Sequence, residues 1–232
     1  MYRQQVRTLA FQSGLTALGL IVLGVVIALR PALVPFSYFE FWTMKGSLWE
    51  AVVGAWPLYA FMIGLNVMHS FFQRDNYKEK PHEILFVGLL ISCWAGIAEE
   101  IFFRWLAFFG AIILIPFLDW MIWFVTGLHI VQWFYADIVC PIANFFTLGY
   151  LHPILLDGYG WAVGAAVITA NGQFRNGHAY QGLFGFTLSW FFGMYMFWVM
   201  FNYGLPACIL IHFITDVLVF ATVALDAKLE KL

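Results

Sequence analysis

The sequence predicts an all-α fold: a polytopic transmembrane helical bundle with room for about six to eight spans of about 20 residues each. Three observations carry that prediction. Of the 232 residues, 63% are hydrophobic and only 10% are charged, where soluble domains carry about 25% charged residues. Mean hydropathy is +0.84. Apolar runs long enough to cross a bilayer recur along the chain, divided by short segments that hold prolines or basic residues. The net charge of −2 is too small to imply nucleic acid or an acidic partner, so the lipid bilayer is the first expected partner.

The elements follow in order. A first span from about Ala10 to Leu29 follows Arg3 and Arg7. No small-x-small cleavage site precedes Arg30-Pro31, so it reads as a retained span and not a signal peptide. An aromatic linker with Pro31 and Pro35 leads to a second span, Leu48 to Phe72, and the stretch from Gln73 to Glu83 is clearly hydrophilic. Ile84 to Phe117 is too long for one untilted span and is expected to break or leave the membrane near Pro116. The apolar block Trp120 to Tyr135 precedes Pro141 and Pro153 and reads as a hairpin or a re-entrant piece. Further spans are expected at Trp161 to Ala170, Gly182 to Phe201 and Leu205 to Leu225. Basic residues cluster at Arg3 and Arg7, at Arg74, Lys78 and Lys80, and at Lys228 and Lys231. The positive-inside rule puts all three clusters, and both termini, on the cytoplasmic side, with an even number of crossings. Cys93, Cys140 and Cys208 sit in separate apolar stretches without CxxC spacing and read as small core residues.

Between Ile84 and Phe117 the only charged side chains are Glu99, Glu100 and Arg104. A charge near the bilayer centre costs about 2.5–3.5 kcal/mol on insertion scales, so intramembrane charges mark functional sites by default. Glu100 and Arg104 stand at i and i+4, on one helix face, and are expected to form a structural ion pair. Glu99 is turned about 100° away and is left as the carboxylate without a local partner. His212 and Asp216 repeat the i,i+4 spacing in the last apolar run, and Phe174 to His178 follows the span that starts at Trp161. His129 and His152 stand outside any such pattern.

Two chemistries suit this set. A carboxylate in a low-dielectric pocket has its pKa raised and becomes a general base near neutral pH. One histidine can orient the same water, and another, beside an aspartate that biases it towards the protonated form, can stabilise an oxyanion. The same Glu/His/His set can instead bind zinc through three protein ligands and a water. Residue types alone leave both open.

Three ordered motifs, Glu99-Glu100-x-x-x-Arg104, Phe174-x-x-x-His178 and His212-x-x-x-Asp216, resemble those of the CPBP family, which comprises type II CAAX prenyl endopeptidases, bacteriocin-processing and immunity proteins, and bacterial relatives. The resemblance runs from about residue 85 to residue 220. It implies an intramembrane endopeptidase of a bacterial or archaeal cytoplasmic membrane, acting on a membrane-associated peptide or protein. The catalytic residues it implies are Glu99 as general base, His178 as water ligand, and His212 with Asp216 as the oxyanion-stabilising pair. Glu100, Arg104 and Phe174 are implied as supporting residues, and no cofactor or metal is implied for the CAAX-protease branch, although many members are labelled metalloproteases.

The implied organisation is N-terminal segments and a cytoplasmic loop at 1–83, a catalytic core at 84–225 and a tail at 226–232. Two features depart from the family pattern. An insertion at about 114–157 separates the first motif from the second, and Asn171, Gln173, Arg175 and Asn176 make the approach to His178 polar. A non-catalytic scaffold or immunity protein with the same fold, and a proton-coupled transporter, are the competing expectations.

Overall fold

The computed structural model describes the backbone of residues 2–72 and 80–230, and the side chains of residues 14–68, 70 and 80–230. The expected loop around Arg74 and Lys78, and the side chains of Arg3, Arg7 and Lys231, lie outside those limits. Among the described residues there are helices and no strand. The α-helices are α1 (Tyr2–Leu29), α2 (Leu48–Gly54), α3 (Trp56–Phe72), α4 (Pro81–Glu99), α5 (Phe108–Thr126), α6 (Ile130–Trp133), α7 (Cys140–Phe146), α8 (Trp161–Gly177), α9 (Gly182–Tyr203) and α10 (Leu205–Leu229). Four helical stretches are long and apolar enough to cross a membrane: Leu48–Met68, Pro81–Thr126, Ala179–Tyr203 and Leu205–Leu229. Gly14–Leu29 and Ile130–Phe146 are shorter apolar helices. This is the pattern of an integral membrane protein.

The stretch Pro81–Thr126 runs 46 residues without a break in helicity, more than twice what one crossing needs. The expected break near Pro116 is absent. Pro116 lies inside α5, and the helix ends at Thr126, where Gly127 turns into the left-handed region at φ 74°. A proline removes one backbone hydrogen bond, and in an apolar setting the rest of the helix is still the cheapest way to satisfy the peptide groups. The irregularity falls earlier, at Glu100–Ala107, where the coil widens to a π-helix. π-segments of this kind occur frequently at functional sites.

The chain divides into two compact units, Met1–Glu40 with Ile101–Trp198, and Phe41–Glu100 with Val199–Leu232. In the first, α5 packs along α8. Small residues permit the close approach: a Cβ on Gly164 would stand 2.6 Å from the Leu155 carbonyl oxygen and 2.9 Å from the Cys140 Sγ. Cys140 is fully buried there, and Cys208 is buried in the second unit, as expected of core cysteines, whereas Cys93, expected in the core as well, is exposed. The 114–157 region forms a helical hairpin. After Gly127 the chain folds back as α6, and Asp119 of α5 fastens the reversal. Its carboxylate accepts from the Gln132 N–H at 3.0 Å and lies 2.6 Å from His129 Nδ1.

In the second unit, α10 packs against α4, α3 and α2. The α4 face turned to α10 carries Gly88, Ser92 and Gly96, all buried and spaced by four residues. A Cβ on Gly88 would meet the Phe220 ring at 2.4 Å, and one on Gly96 the Ile209 carbonyl oxygen at 3.1 Å and the Phe213 nitrogen at 3.2 Å. Low numbers on α4 therefore face high numbers on α10, an antiparallel pair. Stripes of small residues bring apolar helices together in this way where the hydrophobic effect gives no drive. Gly96→Val is expected to wedge α4 from α10 and cost about 1–3 kcal/mol, read as a lower midpoint of thermal unfolding in detergent micelles. Gly204, which opens α10 at φ 95°, allows a second close approach, since a Cβ there would meet the Thr43 carbonyl oxygen at 2.6 Å.

Candidate active site

The next position along the Gly88, Ser92, Gly96 stripe is residue 100, and this spacing delivers Glu100 to α10. Its side chain is fully buried, and Oε1 lies 2.6 Å from Nδ1 of His212, itself 4% exposed. With Glu100 ionised, Nδ1 carries the proton and donates to Oε1. The other ring nitrogen faces two further acids. His212 Nε2 lies 3.6 Å from Asp216 Oδ2 and 4.0 Å from Glu99 Oε2. The side chains of Asp216 and Glu99 are 27% and 31% exposed, although Glu99 Oε2, the oxygen nearest His212, is buried. Distances of 3.6–4.0 Å exceed a direct hydrogen bond.

One imidazole thus gathers three carboxylates. The i,i+4 expectation for His212 and Asp216 is met by their 3.6 Å separation. The expectation that Glu99 points away from its neighbour is not: adjacent glutamates both reach the same ring. Glu100, assigned from spacing to Arg104 alone, is the closest partner of His212, a contact no local spacing announced. The period-four run of small residues ahead of it was the signal that pointed there.

Arg104, Phe174 and His178 belong to the first unit. The Arg104 guanidinium is fully buried and lies over the rings of Phe174 and Phe197, 4.3 Å and 5.6 Å from their centroids. Phe174 is thereby the support of a buried cation, and its ring also meets Phe103 edge-on at 5.3 Å. His178 follows the last residue of α8, and its Nδ1–H donates to the Phe174 carbonyl oxygen at 2.8 Å. That bond fixes the tautomer and leaves Nε2 as the acceptor. His178 is half-buried, with its ring near those of Phe174 and Tyr180.

Two further acid–imidazole contacts escaped the motif pattern. Asp119 with His129 closes the hairpin, and Trp123 stacks on the His129 ring at 5.7 Å. His152 Nε2 lies 2.6 Å from Asp157 Oδ2, with both side chains substantially exposed. Each stitches together nearby turns of the 114–157 region, where the spacing of the histidines gave no pattern to read. Among the described residues, no group of three or more His, Cys, Asp or Glu side chains is arranged to hold a metal ion.

No protein-family model, curated protein or solved structure matches this chain. The resemblance to the CPBP family therefore rests on the three motifs themselves.

Proposed function

We propose that the chain is an intramembrane endopeptidase that hydrolyses a peptide bond of a membrane-associated protein or peptide with water activated by Glu99. The observation that carries this reading is the contrast between the two nitrogens of His212. One is held by a fully buried carboxylate, and the other faces two acids whose side chains are partly exposed.

In this mechanism Glu99 takes a proton from a water held between its carboxylate and His212, and the hydroxide attacks the carbonyl carbon. The carbonyl double bond opens to an oxyanion, to which doubly protonated His212 donates its Nε2–H while Nδ1–H stays on Glu100. Collapse expels the amine, which takes the proton from Glu99, so the base is regenerated. Asp216 orients Nε2 and balances the imidazolium. Glu100 acts through His212 and is a positioning residue. The apolar helices around the cluster favour a substrate already in the bilayer, and a whole chain with six to eight crossings, a catalytic core at 84–225 and both termini cytoplasmic accommodates it.

The alternatives are a non-catalytic scaffold or immunity protein of the same fold and a zinc-dependent protease. In cells deleted for the chain, wild type is expected to restore any lost phenotype and Glu99→Gln to fail at equal membrane levels. Rescue by Glu99→Gln would favour the scaffold. Loss of cleavage in membranes treated with a chelator, and its return with zinc, would favour the metalloenzyme.

A further inference from the structure

A cavity of about 600 Å³ lies in the first unit, between the C-terminal half of α1 and the aromatic linker that follows it. This is within the about 300–1,000 Å³ range of small-ligand pockets. Its wall is apolar, built from residues such as Ile21, Val25, Ala28, Phe36, Phe39 and Trp105. Beside the Ser37 hydroxyl, the wall's polar side chains are engaged. Tyr38 donates its hydroxyl proton to the Leu20 carbonyl oxygen, and Trp105 Nε1–H donates to the Tyr38 carbonyl oxygen at 2.8 Å. A water would find few of the two to four polar partners it needs, and cavities of this kind stay dry.

The mouth opens to one medium. Ile21, Val25 and Phe39 line the cavity and are 65%, 52% and 63% exposed, and Leu18, Val22 and Leu29 continue the same exposed apolar surface along α1. Acyl chains surround such a helix in a bilayer. Arg30, exposed, sits in the chain between the wall residues Ala28 and Pro31 and is the only charged residue between Gly14 and Phe39. An apolar slot with a single cation at the helix end matches an acyl chain that terminates in a phosphate. Glycine makes room for the wall itself, since a Cβ at Gly24 would meet the Tyr38 ring at 2.8 Å.

We propose that this cavity is a binding site for one phospholipid, with an acyl chain between α1 and the linker and the phosphate at Arg30. The lipid fills the slot and holds the linker against α1. The proposal is independent of the peptide-bond chemistry assigned to Glu99.

The test uses the full chain in nanodiscs of phosphatidylglycerol doped with a phosphatidylglycerol carrying a diazirine at the end of one acyl chain. After irradiation, label is expected on peptides covering residues 20–31 and 36–39, and Ala28→Trp, which fills the slot, is expected to lose it while label on α10 is unchanged. Equal labelling of the wall in Ala28→Trp, with thermal unfolding as in wild type, would overturn the site. Native mass spectrometry of wild type released into mild detergent covers the case in which that variant does not fold. One retained phospholipid supports the site, and none contradicts it. A diazirine diacylglycerol that labels the wall as well as the phospholipid does would remove Arg30 from the account.

Discussion

Glu100→Ala is expected to cost about 3–5 kcal/mol of stability, because it removes the partner of a buried imidazole and leaves His212 Nδ1–H without an acceptor. Whole domains are stable by only about 5–15 kcal/mol, so little folded Glu100→Ala protein should reach the membrane. Glu100→Gln separates the charge from the hydrogen bond. The amide oxygen can still accept from Nδ1–H, so the variant is expected to fold. It loses the negative charge that sets the ring's orientation and protonation, and cleavage should fall by about 10–100-fold, as when a carboxylate behind a functional histidine is removed. Thermal unfolding in detergent micelles reads the first effect. The rate at which a substrate terminus appears in membranes reads the second.

Glu99→Gln is expected to do the reverse. Its side chain is 31% exposed and Oε2 stands 4.0 Å from His212, beyond a direct hydrogen bond, so an isosteric amide should leave thermal unfolding close to that of wild type. The amide cannot take a proton from water. Loss of general-base catalysis costs about 10²–10⁴-fold, and cleavage should fall below detection. Two adjacent glutamates with opposite phenotypes, one governing stability and the other turnover, would be hard to obtain from a structural carboxylate pair. A loss of stability in Glu99→Gln as large as that expected for Glu100→Ala would remove Glu99 from the reaction.

The helices were legible because their signal is long and redundant. The spans read at Gly182 to Phe201 and Leu205 to Leu225 fall within α9 and α10, and Leu48 to Phe72 covers α2 and α3. The helix from Trp161 extends to Gly177, past the end expected at Ala170 and through the polar residues Asn171, Gln173 and Arg175. Polarity is a poor stop signal where the residue can be packed. Asn171 is fully buried, and its side-chain amide donates to the Trp190 carbonyl oxygen at 2.9 Å. Pro116 misled for the opposite reason, because one proline does not outweigh the many backbone bonds of an apolar helix.

The site was legible in its members and not in its wiring. Charge inside an apolar run singled out Glu99, Glu100, His212 and Asp216, and these four come together in the second unit. Which glutamate touches His212 depends on how α4 lies on α10. The four-residue spacing of Gly88, Ser92 and Gly96 sets that packing, and the π-segment at Glu100–Ala107 modifies it. Neither is visible in the ionisable residues themselves. The Asp119–His129 contact was hidden for a similar reason, since the reversal at Gly127 brings together residues that the linear pattern keeps apart.

The central claim is that Glu99 activates water for peptide-bond cleavage. The most direct measurement compares N- and C-terminal peptides across the proteome of cells that carry either wild type or Glu99→Gln at matched membrane levels. The account predicts that a specific set of cleaved termini, drawn from membrane-associated proteins, disappears in the mutant and returns with wild type. An unchanged set of termini, in cells where deleting the chain causes a defect that Glu99→Gln repairs, would contradict it.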